Sequence, residues 1–108
     1  MSLQKVNIKP LSINEAFQGR RFKTPKYLTY EKNMLKILPN LNISKDKNLS
    51  LFIEFGFSNN ASDIDNCLKP FLDCLQKKYG FNDKLINELN VRKIKVSKGY
   101  EHIIFEIS

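Results

Sequence analysis

The chain holds five aspartates, and four of them stand between positions 63 and 83. The densest stretch is Asp63-Ile64-Asp65-Asn66-Cys67-Leu68-Lys69-Pro70-Phe71-Leu72-Asp73, echoed by Phe81-Asn82-Asp83. Asp63 and Asp65 are two apart, so on extended backbone their side chains leave the same face. Carboxylates held that close repel one another unless positive charge sits between them. Mg²⁺ is the usual solution, because it prefers oxygen ligands and often takes only one or two protein carboxylates. If the intervening segment is a helix, Asp83 and Lys69 come within reach of the pair. Three acids and one cation are the inventory of a metal-assisted phosphodiester nuclease. One metal, or two about 4 Å apart, would activate water and neutralise charge on the scissile phosphate and the leaving oxygen. The acids lack the ligand spacing of an EF-hand, which argues against a structural Ca²⁺ loop.

The elements that must position these residues follow from periodicity. Leu68, Phe71, Leu72 and Leu75 recur at i, i+3, i+4 and i+7, which predicts an amphipathic helix to about Lys78, stopped by Gly80. Pro70 is tolerable only in its first turn, so the helix starts close to Asn66. Asp63 and Asp65 then lie just before a helix N-terminus, where backbone N–H groups favour anions. Asn66 is expected to cap that helix, the alternative being that it orients an aspartate. Lys69, a cation in the first turn, opposes the helix dipole. It either pairs with Asp73 at i+4 or meets the aspartates or a phosphate.

Leu49, Leu51, Ile53, Phe55 and Phe57 alternate, marking a central strand covered on both faces. Val6 and Ile8 mark a short first strand ended by Pro10, with a turn expected at Leu11-Ser12-Ile13-Asn14. A loop is expected from Phe17 to Tyr27, then a helix capped by Thr29 and running to about Leu38. Two C-terminal strands, about Asn90–Ser97 and Tyr100–Ile107, are expected to form a hairpin at Lys98-Gly99. His102 is expected to be structural. The expected fold is α+β, one domain over 1–108: a small, mostly antiparallel mixed sheet of about four strands with two helices.

With 108 residues, 42% hydrophobic and 27% charged, the chain has the composition of a soluble globular domain. No apolar run reaches the roughly 20 residues that span a bilayer, and the N-terminus lacks an apolar signal core. An intracellular, cytoplasmic protein with no membrane partner is expected. Cys67 and Cys74 would sit about 10 Å apart along one helix, too far for a disulfide, so both read as buried small hydrophobes. Residues 1–50 carry ten Lys/Arg against three acids, whereas residues 51–108 carry eight of each. A basic half of this kind suits a polyanion. In the loop, Arg20, Arg21, Lys23 and Lys26 interleave with Phe22 and Tyr27, which suits a nucleic-acid backbone with unstacked bases.

At these residues the chain resembles the RusA-type Holliday-junction resolvases, small endodeoxyribonucleases of bacteria and their prophages. The family pattern Asp-x-Asp-Asn-x-x-Lys reads here as Asp63-Ile64-Asp65-Asn66-Cys67-Leu68-Lys69, followed by Asp73, Gly80 and Asn82-Asp83. Pro10-Leu11-Ser12-Ile13-Asn14, the basic loop and Lys95-Val96-Ser97-Lys98-Gly99 also fit, so the likeness runs from about Val6 to the end. The resemblance implies that Asp63, Asp65 and Asp83 hold Mg²⁺, with Mn²⁺ as a substitute, and that Lys69 is an essential cation beside them. It implies paired symmetric nicks in four-way junctions during recombination and repair, with no small-molecule cofactor. Two symmetric nicks by a chain with one acidic cluster imply a homodimer. Asn82 departs from the family, where many members carry two adjacent acids. The alternatives are a non-catalytic basic nucleic-acid-binding module and a metal-dependent nuclease acting on other branched nucleic acids.

Overall fold

The computed structural model describes residues 3–18, 22–59 and 63–108. Among them the chain forms β1 (Gln4–Val6), α1 (Ile13–Ala16), β2 (Phe17–Gln18), β3 (Phe22–Lys23), α2 (Pro25–Ile37), β4 (Leu49–Phe57), α3 (Leu68–Tyr79), β5 (Ile86–Lys95) and β6 (His102–Ile107). Two 3₁₀ turns, Asp65–Cys67 and Asp83–Leu85, flank α3. The main sheet has the order β1-β6-β4-β5, with β1 and β4 antiparallel to β6 and β5 parallel to β4. The α+β class and the mixed four-stranded sheet are as expected. A third, short helix joins the two that were expected.

The alternation in β4 determines where the core sits. Leu51, Ile53, Phe55 and Phe57 leave one face and meet Ile103, Phe105 and Ile107 of β6, all buried. Phe71 of α3 packs edge-on against Phe55 and Phe105, with ring centroids 6.0 and 5.6 Å apart. Burying one such ring contributes about 1.5–3 kcal/mol, so these contacts fix α3 on the sheet and with it the acidic stretch at its start. On the other face, Phe52 is half-buried and Glu54 is buried. Cover there comes from neighbouring strands: Arg92 stacks over the Phe52 ring at 5.4 Å and bonds Glu54 through Nε at 2.7 Å. His102 closes the other carboxylate oxygen at 3.0 Å. Its hydrogen bond and that of Arg92 hold the Glu54 carboxyl below the usual carboxylate range, against the opposing pull of burial.

Three local expectations are corrected. The C-terminal strands are not a hairpin, because β4 lies between them. Six residues separate Lys95 from His102, enough to cross two strand spacings of about 4.8 Å each, and the Lys98-Gly99 turn with Gly99 at φ 96° serves that crossing. Helix α2 begins at Pro25 rather than near Thr29. Thr24 accepts from the Tyr27 amide, and Pro25 occupies the first helical position, where its missing N–H costs nothing. The presumed turn after Pro10 contains α1, opened by Ser12 and Glu15: Ser12 Oγ accepts from the Glu15 amide and donates to its carboxylate. Cys67 and Cys74 are free and buried, and burial pushes their thiols up to about 11 and about 12. No described helix is long and apolar enough to cross a membrane.

Candidate active site

The acidic stretch is held by its apolar neighbours. Cys67 and Pro70 are buried, which anchors the 3₁₀ turn and the first turn of α3 and leaves Asp65 and Lys69 facing out. The turn passes directly into α3, since Leu68 both ends one and starts the other. Asp65, Lys69, Asp73 and Gln76 follow one another at helical spacing and so form a stripe on one face. At the far end of α3, Gly80 adopts φ 73° and terminates the helix, and buried Phe81 fastens the chain before it turns back. The second 3₁₀ turn then brings Asp83 to the stripe. Asp65, Leu68, Lys69, Leu72, Asp73, Gln76 and Asp83 line one open depression of about 260 Å³.

Lys69 and Asp73 form an ion pair at 3.5 Å in this depression. Both readings of Lys69 are therefore compatible: it pairs at i+4 and it stands beside the aspartates. Asp73 is itself held from below, because the Tyr27 hydroxyl donates to Asp73 Oδ2 at 3.4 Å. Burial, and then the Asp73 charge, hold the Tyr27 phenol protonated far above its ordinary range. The sequence places Asp73 as a partner for Lys69 and within the family pattern, with no role of its own at the site. The signal for more was its spacing, which puts it on the same stripe as Asp65.

Asp63 does not line the depression. It is exposed and accepts from Asn66 Nδ2 at 3.5 Å. Asn66 therefore faces an aspartate, contrary to the expected cap: the 3₁₀ turn takes it inside the helical run, and Cys67 occupies the cap position of α3 without a side-chain bond. Asn82 does cap, its oxygen accepting from the Lys84 amide at 2.9 Å. That use explains how the position tolerates an amide and leaves Asp83 as the carboxylate of the pair in the depression. Among the described residues, no three acids, histidines or cysteines stand close enough together to hold a metal ion.

Of the four basic residues expected to meet DNA, Arg20 and Arg21 lie outside the described residues. Lys23 pairs with Glu31 at 3.3 Å and sits 5.0 Å from the Tyr27 ring centre, and Lys26 pairs with Glu15 at 3.3 Å. The expected loop contains the two-stranded ladder β2–β3, and Lys26 and Tyr27 belong to α2. Tyr27 is 1% exposed and Phe22 is 75% exposed, so of the two aromatics Phe22 is the one available to a base. A larger cavity of about 470 Å³, lined by Ile8, Pro10, Leu11, Pro25 and Tyr30 among others, contains one acid, Glu15, and none of the aspartates.

The family model described as Endodeoxyribonuclease RusA matches residues 11–107. Among curated proteins nothing matches the chain.

Proposed function

Because the chain belongs to the endodeoxyribonuclease RusA family, we propose that it is a Mg²⁺-dependent, structure-specific nuclease that resolves four-way DNA junctions by paired symmetric nicks. The observation that carries this reading is the convergence of Asp65, Lys69 and Asp83 from two separate segments on one open depression. The donors there are carboxylate oxygens without histidine or thiolate. That set suits Mg²⁺, which keeps several waters and takes only one or two carboxylates, better than zinc, which favours nitrogen and sulfur. Asp65 and Asp83, with Asp63 at the margin, would hold the ion. When bound, it supplies a Lewis acid for the phosphoryl oxygens and a water of lowered pKa.

The chain's own residues supply the rest. Lys69 carries positive charge at the mouth of the depression, where it stabilises charge that builds on the phosphoryl oxygens. Asp73, bonded by the Tyr27 hydroxyl, pairs with the Lys69 ammonium at the depression. Lys23, Lys26 and the arginines beside them meet the DNA backbone, and Phe22 stacks on a base opened at the crossover. One chain carries one such acidic cluster, so two symmetric nicks call for two copies related by a two-fold axis.

The test is a labelled four-way junction incubated with the protein in Mg²⁺ and in EDTA, beside linear duplex, flaps and forks. Paired nicks in the junction alone, dependent on Mg²⁺, are expected. Tight binding without cutting in Mg²⁺ or Mn²⁺ would leave a basic DNA-binding module, and equal cutting of flaps and forks would widen the substrate class. Lys69→Ala should slow nicking about 10²-fold or more. Its melting temperature should stay within a few degrees of wild type, because an exposed pair contributes about 0–1 kcal/mol. A large fall in melting temperature would reassign Lys69 to a structural role.

A further inference from the structure

The second half of the chain is neutral overall, yet its charges are sorted in space. Strand β5 pairs in parallel with β4, with Lys93 opposite Phe55 and Lys95 opposite Phe57. Both lysines therefore leave the sheet on the face that α3 covers. The phenylalanines opposite them are buried, whereas Lys93 and Lys95 are exposed, because β5 is the sheet edge and lies beyond the reach of the helix. The two are two residues apart on a strand, so their side chains stand roughly 7 Å apart on one face.

This strip adjoins the acidic turn. Asn59, which lines a cleft with Lys93 and Lys95, precedes Asp63 by four residues, a chain reach of at most about 14 Å. Beside the strip, Lys93, Ile94 and Lys95 line a cleft of about 120 Å³ with Phe57 and Asn59, where β4 gives way to the segment leading to Asp63. Glu101 is the nearby acid of the β5–β6 connection, and its oxygens are taken up by Ser58 Oγ at 2.6 Å and the Gly99 amide at 2.8 Å.

We propose that Lys93 and Lys95 form a phosphate-binding strip that grips successive phosphates of the DNA strand as it leaves the acidic depression. The inference rests on the nuclease reading for its ligand, and it adds a second DNA contact on the opposite end of the chain from the basic segment 20–26. The spacing of the lysines matches neighbouring phosphates of one strand, and the cleft between them and Asn59 admits a phosphate group. Both residues act as positioning residues, through the backbone and without reading sequence.

The test is junction binding in EDTA across a series of salt concentrations, so that it needs no cleavage. Lys93→Gln and Lys95→Gln should each reduce the slope of log affinity against log salt by about one, and the double variant by about two. The loss should be equal for junctions of different sequence. Lys93→Arg and Lys95→Arg should keep the wild-type slope, as should Lys32→Gln and Lys36→Gln on the exposed side of α2. An unchanged slope in the double glutamine variant would overturn the proposal. So would a slope that falls equally in the arginine variants or in the α2 controls. A wild-type protein that binds no junction at all would sink the nuclease reading instead.

Discussion

Asp65→Asn should reduce junction nicking by about 10²–10³-fold or more and leave junction binding at or above the wild-type affinity. The substitution keeps the size and shape of the side chain and removes one negative charge. Asp65 is exposed and lies in the 3₁₀ turn, whose fold is set by buried Cys67 and by the helix that follows rather than by the carboxylate. Nothing in the core changes, so the melting temperature should not move. Removing a carboxylate from a surface that meets phosphates lowers repulsion, which is why binding is retained or strengthened. The opposite pattern, weaker binding with nicking preserved, would mean that Asp65 contacts DNA without holding the metal. The same pair of assays on Asp83→Asn and Asp63→Asn measures what the geometry distinguishes. Asp83 shares the depression with Asp65 and should behave like it. Asp63 stands outside, turned to Asn66, and a near-wild-type rate for Asp63→Asn would narrow the metal ligands to the two inside.

How much of this was legible in the sequence depends on which physical signal each element carried. Strand β4 and helix α3 are readable to within a residue or two, because each prints a period of 2 or 3.6 on its apolar residues. The acidic stretch was readable because its position relative to those two elements follows from chain order alone. Its internal geometry was not. Whether Asn66 caps or orients depends on whether the chain enters α3 through a loop or a 3₁₀ turn, and both are open to the same residues. The partner of β5 was hidden for a different reason: Lys98-Gly99 is a good tight turn whichever strand follows, and the competition for the edge of β4 is decided by packing over the whole sheet. Strand β5 itself lacks clean alternation because it is exposed on most of its length. The start of α2 was misplaced although its signal was present. Thr24-Pro25 is a stronger opening than Thr29, but it lies in a polar segment with Gly, Pro and no apolar period, which reads as a loop.

The buried polar group behind the sheet yields the other large effect, and it turns on a glycine. Gly56→Ala should cost about 2–4 kcal/mol of stability and, in a domain of about this size, lower the melting temperature by roughly 10 °C or more. Among the described glycines only Gly80 and Gly99 have positive φ, so the role of Gly56 is space. A methyl group there would stand 2.5 Å from His102 Cε1 and 2.6 Å from Nδ1, far inside van der Waals contact. The ring cannot yield cheaply, because Nδ1 faces the Tyr100 carbonyl at 3.0 Å and Nε2 faces Glu54 Oε2 at 3.0 Å. Displacing it strips a buried carboxylate of one of its two partners, leaving Arg92 to hold Glu54 alone. Thermal melts of Gly56→Ala, His102→Ala and the double variant separate clash from lost bonding. If the methyl acts by expelling the ring, the double variant should be no less stable than Gly56→Ala, a coupling of a kilocalorie or more between the sites. Strict additivity, or a Gly56→Ala protein that melts within about 2 °C of wild type, would show that the strand gives way around the methyl and that the histidine is not pinned.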